Sequence, residues 1–459
     1  MPRFGYSTPA GTGWTRRLIS IHPAVREISV NALPYRSSPR RRLWRAVAVV
    51  AAVPVLLLAT VPLAGAAPAE AARAAAPAAG DIVQRAVTFT VKNVNGTAIG
   101  CKADGATYQE RGHITGTAQA LADPQTVTLL LHGLSYGEFF GNYTAQPGYN
   151  FAEQQAEAGH VTVTVDRLGY GASDKPVGQN ICFGSRADIA HQEVDQLKAG
   201  SYATAGATSV AFPKVVLAGH SVGSIIAQAE AYTFGGIDGL MVLSYSDTKV
   251  SLAATAALGI ATQACQAGGV RQNGTTGPTG YIYFGADTPA KFIEAHFYTL
   301  NADPTVVQTV AALRNRDPCG DILSYKAAVA TNLANISKIK VPVLVLIGGN
   351  DAIYPTPATT QAALLTGTTD VTAVTIANTG HALTFHYSQN QFQLHLSSWL
   401  ADHGFGGWAM PIGAPDTGGG SAAAASYQTQ MRVGALLILM AGGIWLWSRR
   451  RRVGQPSSN

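Results

Sequence analysis

KVVLAGHSVGSIIAQAEAYTF (Lys214–Phe234) is the stretch whose reading decides the fold. Its first half, VVLAG, is a short apolar run of the kind that a parallel sheet buries on both faces. Its second half, SIIAQAEAYTF, has helical character and begins directly after Gly223. Between them lies GHSVG (Gly219–Gly223), a G-x-S-x-G pattern that turns a strand sharply into a helix and leaves Ser221 on the bend. Gly219 and Gly223 lack the Cβ atoms that would collide in so tight a turn. The same pattern recurs at GLSYG (Gly133–Gly137). Ser135 also follows an apolar strand, but YGEFFGNYTAQPGYN continues as a Gly- and aromatic-rich loop with no helix at its start. Context therefore favours Ser221 as a nucleophile and reads Ser135 as a loop residue.

Outward from the bend, strand-like and helix-like segments alternate. VTLLLHG (127–133), VTVTVDRLGYG (161–171), GLMVLSYSD (239–247), VPVLVLIGGND (341–351) and TAVTIANTGH (372–381) read as strands, with helical patches over 186–200 and 224–234. That alternation predicts an α/β fold with a mainly parallel sheet flanked by helices. Residues 248–340 are too long for a simple crossover between strands and are expected to form an inserted cap. The expected organisation is an N-terminal extension and signal peptide (1–73), a core in two parts (81–247 and 341–404) around the cap, a small-residue linker (405–430) and a C-terminal hydrophobic anchor with a basic tail (431–459).

Five pieces in order, LLLHG, DRLGYGASDKP (Asp166–Pro176), GHSVG, IGGNDAIYP and NTGHA, resemble the α/β-hydrolase family over roughly Asp81 to Gly404. The resemblance implies a triad in the order Ser221, Asp351, His381. Serine is a weak nucleophile at its free pKa and needs His381 to take its proton, while Asp351 fixes the histidine tautomer. The backbone N–H groups of Leu134 and Val222 fall in the positions that hold a developing oxyanion. Asp247, at the end of the strand after the bend, is the alternative acid. His132 reads as a structural residue hydrogen-bonded inside its loop and His220 as a neighbour lining the bend. Asp166, Arg167 and Asp174 read as residues that stabilise a turn, and His386 and His395 as surface or core-polar residues. A serine rather than an aspartate nucleophile disfavours epoxide opening and halide displacement. Hydrolysis of a carboxylic ester, esterase- or lipase-like, is the expected reaction. The same triad also serves cofactor-free haloperoxidase-like and carbon–carbon bond hydrolases, and a catalytically inert surface-binding module is the alternative of a different class. The aromatics Tyr281, Tyr283, Phe284, Phe292, Phe297 and Tyr298 in the cap point to an apolar small-molecule substrate or to simple packing.

Charge is divided along the chain. Residues 1–73 hold ten Arg against two Glu, and residues 432–459 hold five Arg and no acid. The tails thus carry +13 of a chain total of +6, which leaves −7 for residues 74–431. A nucleic-acid binder keeps its basic surplus on the folded domain, so no nucleic-acid partner is expected. SSPRRRLWR (Ser37–Arg45), the apolar run after it and Ala64-Gly65-Ala66 follow the order of a secretory signal. VGALLILMAGGIWLW (Val433–Trp447) followed by Arg449–Arg452 reads as a single-pass anchor with a cytoplasmic tail. APDTG (Ala414–Gly418) resembles a cell-wall sorting motif, with Ala414 where the usual motif has Leu, so sortase processing near Thr417 and a retained membrane span both stay open. Either way the domain is expected at the outer cell surface. Cys101, Cys182, Cys265 and Cys319 show no metal-ligand spacing; no metal or cofactor is expected, and the simplest pairing joins Cys265 to Cys319.

Overall fold

The computed structural model describes residues 80–285 and 288–406. The expected export signal and C-terminal anchor lie outside these residues, as does the linker beyond residue 406. Among the described residues no helix is long and apolar enough to cross a membrane.

Strands β1 (Ile82–Lys92), β2 (Thr107–Thr117), β3 (Thr126–Leu131), β4 (Val161–Asp166), β5 (Ala203–Thr204), β6 (Lys214–His220), β7 (Gly239–Leu243), β10 (Val343–Gly348) and β11 (Val371–Ile376) form one sheet, ordered β11-β10-β7-β6-β3-β4-β2-β1-β5. From β4 to β11 all neighbours are parallel. At the other end β2, β1 and β5 pair antiparallel. Strands β8 (Tyr281–Ile282) and β9 (Asp317–Pro318) form a separate antiparallel pair. The helices are α1 (Ala118–Ala122), α2 (Phe151–Glu157), α3 (Phe183–Ala199), α4 (Val222–Thr233), α5 (Leu252–Gln266), α6 (Pro289–His296), α7 (Pro304–Leu313), α8 (Cys319–Asn335), α9 (Ala358–Ala362) and α10 (Gln389–Asp402).

The largely apolar runs follow from burial on both faces. Every residue of β3, β4, β7 and β10 is buried. Because side chains alternate along a strand, Leu217, Val343 and Val345 pack into one layer with Ile225 and Ile226 of α4 and Ala187 and Val194 of α3. Val216, Leu344 and Leu346 point the opposite way, toward Phe151 of α2 and Phe392, Leu396 and Trp399 of α10. The result is a three-layer α/β architecture.

Between β7 and β10 lie α5 to α8 and the β8–β9 pair. Helix α8 packs against α3, α4 and α5, so the last part of this segment shares the helical layer of the sheet. Disulfides join Cys265 to Cys319, as expected, and Cys101 to Cys182. The first ties the end of α5 to the start of α8.

Candidate active site

Three loops at the C-terminal ends of parallel strands converge, the edge where open α/β sheets bind ligands. Ser221 follows β6 and precedes α4; Asp351 follows β10; His381 follows β11. Ser221 sits at φ 55° and ψ −128°, a left-handed backbone that L-residues avoid. The surroundings hold it there. A Cβ on Gly219 would lie 2.3 Å from Gly223 backbone atoms, and one on Gly223 would lie 2.3 Å from Leu131 O. The Ser221 N–H donates to Leu243 O at 2.8 Å, which anchors the bend to β7.

His381 and Asp351 meet directly: Nδ1 to Oδ2 is 2.8 Å, and both side chains are fully buried. The second carboxylate oxygen of Asp351 accepts the N–H groups of Ile353 and Tyr354 at 2.8 and 2.9 Å. Those bonds fix the carboxylate, which in turn fixes Nδ1 as the protonated nitrogen of His381. The other ring nitrogen, Nε2, is buried without a hydrogen-bond partner in the protein. His220 Nε2 bonds the His381 carbonyl at 2.9 Å, which links the residue before the serine to the histidine loop. The His381 ring is bounded by His220 at 4.8 Å and His296 at 5.0 Å. Burial holds His220 and His296 well below 6.5, so both are neutral neighbours of His381.

Asp247 is placed elsewhere. Its carboxylate accepts Tyr245 Oη at 2.6 Å, Gln361 Nε2 at 2.8 Å and Asn332 Nδ2 at 3.3 Å. Burial raises its pKa, and its hydrogen bonds go to neutral amide and phenol groups.

The loop after β3 rests on the serine, since a Cβ on Gly133 would lie 2.7 Å from Ser221 Cβ. The Gly133 carbonyl takes Arg167 Nη2 at 3.2 Å and His132 Nδ1 at 2.8 Å. In a trans peptide the N–H points opposite the preceding carbonyl, so these bonds also set the direction of the Leu134 N–H. Among the described residues that N–H has no backbone acceptor. Val222 is the first residue of α4, where helix geometry leaves its N–H without an intrahelical partner. Arg167, read from sequence as a turn residue, is thus buried behind this loop. Asp166 and Asp174 do stabilise turns, accepting the N–H groups of Glu138 and Ala172, and of Gln109.

A cavity of about 30 Å³ reaches Ser221. Leu134, Val222, Val250, Leu258, Phe284 and Ile353 form apolar walls, and Tyr325, Tyr354 and His296 complete it. The two tyrosines hydrogen-bond each other. Tyr136 Oη meets His296 Nδ1 at 2.9 Å. Of the six cap aromatics, Phe284 lines the cavity. Phe292 stacks on His296 at 4.1 Å, Tyr283 lies under Arg314 and Arg316, and Tyr281 bonds Pro176 O. His296 escapes a sequence reading because it belongs to no motif: only the folding of α6 over the sheet edge brings it to His381. Among the described residues no group of three His, Cys, Asp or Glu side chains is arranged to hold a metal.

Ser135 has a different environment. It is buried with φ 65°, and both its N–H and its hydroxyl bond the Asp317 carboxylate, at 2.5 and 3.1 Å.

Among solved structures, the chain is similar to a thermophilic esterase from Thermogutta terrifontis, with 18% identity, a TM-score of 0.46 and coverage of 68% of this chain and 98% of that one. It is similar to an esterase from Exiguobacterium antarcticum, with 18% identity, a TM-score of 0.46 and coverage of 68% and 99%. A monoacylglycerol lipase from Paleococcus ferrophilus matches with 19% identity, a TM-score of 0.44 and coverage of 60% and 94%. No curated protein sequence matches. Residues 128–392, more than half of the chain, match the Alpha/beta hydrolase family, and the chain belongs to that family.

Proposed function

We propose that the protein is a serine hydrolase that cleaves carboxylic esters through an acyl-enzyme, exported and tethered at the outer cell surface. The observation that carries the catalytic part is the pairing of His381 with Asp351 at 2.8 Å, on a loop bonded to His220, the neighbour of a serine held at φ 55° in the wall of an apolar cavity. A backbone so strained persists only where the surroundings over-determine it, and such sites cluster where chemistry is done.

In the reaction, Ser221 Oγ attacks the ester carbonyl carbon while His381 Nε2 takes the hydroxyl proton. The carbonyl oxygen becomes an oxyanion held by the Leu134 and Val222 N–H groups. Collapse of the tetrahedral intermediate breaks the ester C–O bond, and His381 returns the proton to the departing alcohol. Water then attacks the acyl-serine by the same steps and releases the acid. Asp351 keeps Nδ1 protonated and stabilises the imidazolium that forms at each proton transfer.

The cavity at Ser221 is walled mainly by apolar side chains, which suits an apolar acyl group. A chain-length series of p-nitrophenyl esters is expected to show turnover that depends on the length of the acyl chain. A fluorophosphonate probe tests the nucleophile. Wild-type labelling that disappears in Ser221→Ala supports the reading, and no labelling of folded wild type leaves the inert binding module in its place. Export and tethering rest on the sequence order of the two tails, with membrane or cell wall as partner. Fractionation of the native host, with the domain found in the cytosol, would overturn that part.

A further inference from the structure

We propose that Asp317, in the segment between β7 and β10, is a positioning residue that holds the loop carrying the Leu134 N–H in its working geometry. This rests on the reading of that N–H as an oxyanion donor. Asp317 is fully buried in β9, paired across to Ile282 of β8. Its Oδ1 accepts the Ser135 N–H at 2.5 Å and Tyr170 Oη at 2.9 Å. Its Oδ2 accepts Ser135 Oγ and the Phe284 N–H, each at 3.1 Å. Four donors therefore converge on one carboxylate, and two of them belong to the residue next to Leu134.

The same short segment grips the loop again. The Asn315 N–H donates to Ser135 O at 2.8 Å, and Asn315 Nδ2 to Tyr136 O at 3.1 Å. Three successive peptide planes are thus held: Gly133–Leu134 by Arg167 and His132 from the core, and the next two by Asp317 and Asn315. Fixing the planes on both sides of Leu134 fixes its φ and ψ, and with them the aim of its N–H and the wall its side chain gives the cavity. Ser135 is held at φ 65°, a conformation it would leave if free. Without Asp317 the Leu134–Ser135 peptide can rotate as Ser135 relaxes. Oxyanion stabilisation depends on donors being aimed before the reaction, so a loosened donor lowers turnover more than substrate binding.

The test uses the full chain with its disulfides intact. Asp317→Ala is expected to lower kcat on p-nitrophenyl acetate by roughly 10- to 100-fold, with KM changed less than about threefold, on the scale of losing or misaiming one oxyanion donor. Deuterium exchange of the peptide spanning residues 131–137 is expected to speed up in the same variant. Asp317→Asn keeps one acceptor for the Ser135 N–H and should fall between wild type and Ala. It also serves if the alanine variant does not fold. A folded Asp317→Ala or Asp317→Asn with wild-type kcat, or a loss confined to KM, overturns the proposal. So does unchanged exchange in the loop. Failure of the hydrolase reading is separately visible: wild type that neither turns over the ester nor takes the fluorophosphonate ends that reading, and the exchange comparison still decides whether Asp317 holds the loop.

Discussion

Ser221 and Ser135 share a five-residue pattern, a place at the C-terminal end of a parallel strand and a left-handed backbone, at φ 55° and 65°. They differ in what the next residues do and in what meets the hydroxyl. After Ser221 the chain enters α4 at once, which leaves the Val222 N–H uncommitted and turns the serine toward a cavity. After Ser135 it runs on through Tyr136 and Gly137, and a buried carboxylate takes both the N–H and the hydroxyl. The same backbone strain thus turns a hydroxyl to a cavity in one case and secures a loop in the other. A strained serine is a candidate nucleophile only when its hydroxyl is free to donate to a base, and the Asp317 carboxylate takes that freedom from Ser135.

The largest expected effect tests the first half of that contrast. Ser221→Ala should lower kcat/KM on short p-nitrophenyl esters by about 10⁵-fold while leaving the melting temperature near wild type. Asp351→Asn comes next, with a fall of about 10⁴-fold in kcat because the wrong His381 tautomer is favoured. Asp247→Asn should stay within about tenfold in kcat and lose stability instead, since its three bonds go to Tyr245, Gln361 and Asn332. If Asp247→Asn rather than Asp351→Asn abolishes turnover, the acid is misassigned.

The partner of Ser135 gives a pH signature. Burial pushes Asp317 up to about 6 from 3.8. Between those values the native state keeps a proton that the unfolded chain has lost, so this group's contribution to stability falls as pH rises from below 4 to above 6. The drop is about 3 kcal/mol at most. Asp317→Asn removes it, so the stability gap between wild type and variant should shift against wild type over that window in urea titrations. An unchanged gap would show that Asp317 titrates normally. The smallest effect belongs to Ser135→Ala. It should keep fluorophosphonate labelling, hold kcat within about threefold and cost about 1 kcal/mol for the lost hydroxyl bond. Loss of labelling in the folded variant would reverse the roles of the two serines.

Much of this was legible in residue order. Of the six runs of the parallel part, those of β3, β4, β6, β7 and β10 stand out because strands buried on both faces are rich in apolar residues. The run of β11, at the edge, is largely half-buried or exposed. The antiparallel β1 and β2 were harder to read. Their burial alternates along each strand, and polar residues such as Gln109, Glu110 and Arg111 break the apolar signal. In β1 the alternation of Val87, Phe89 and Val91 is present and marks a half-exposed strand. Asp351 and His381 could be chosen because each follows a parallel strand in a fixed order, which brings them to one edge whatever the loops between them do. His296 and Asp317 could not. Both come from the segment between β7 and β10, whose path is set by packing and by the Cys265–Cys319 link rather than by a strand.

Sequence by itself therefore determined the parallel part of the sheet, the bend at Ser221 and the order of Ser221, Asp351 and His381, because each depends on local pattern and on the parallel crossover rule. It also separated the two G-x-S-x-G matches, through the helix that follows one and not the other. Only the tertiary structure decided which carboxylate meets His381, what walls the cavity and what Ser135 is for. Those are contacts between residues 30 to more than 180 positions apart in the chain. No local pattern carries such a contact, because it exists only when two separately folded segments pack and exclude water between them.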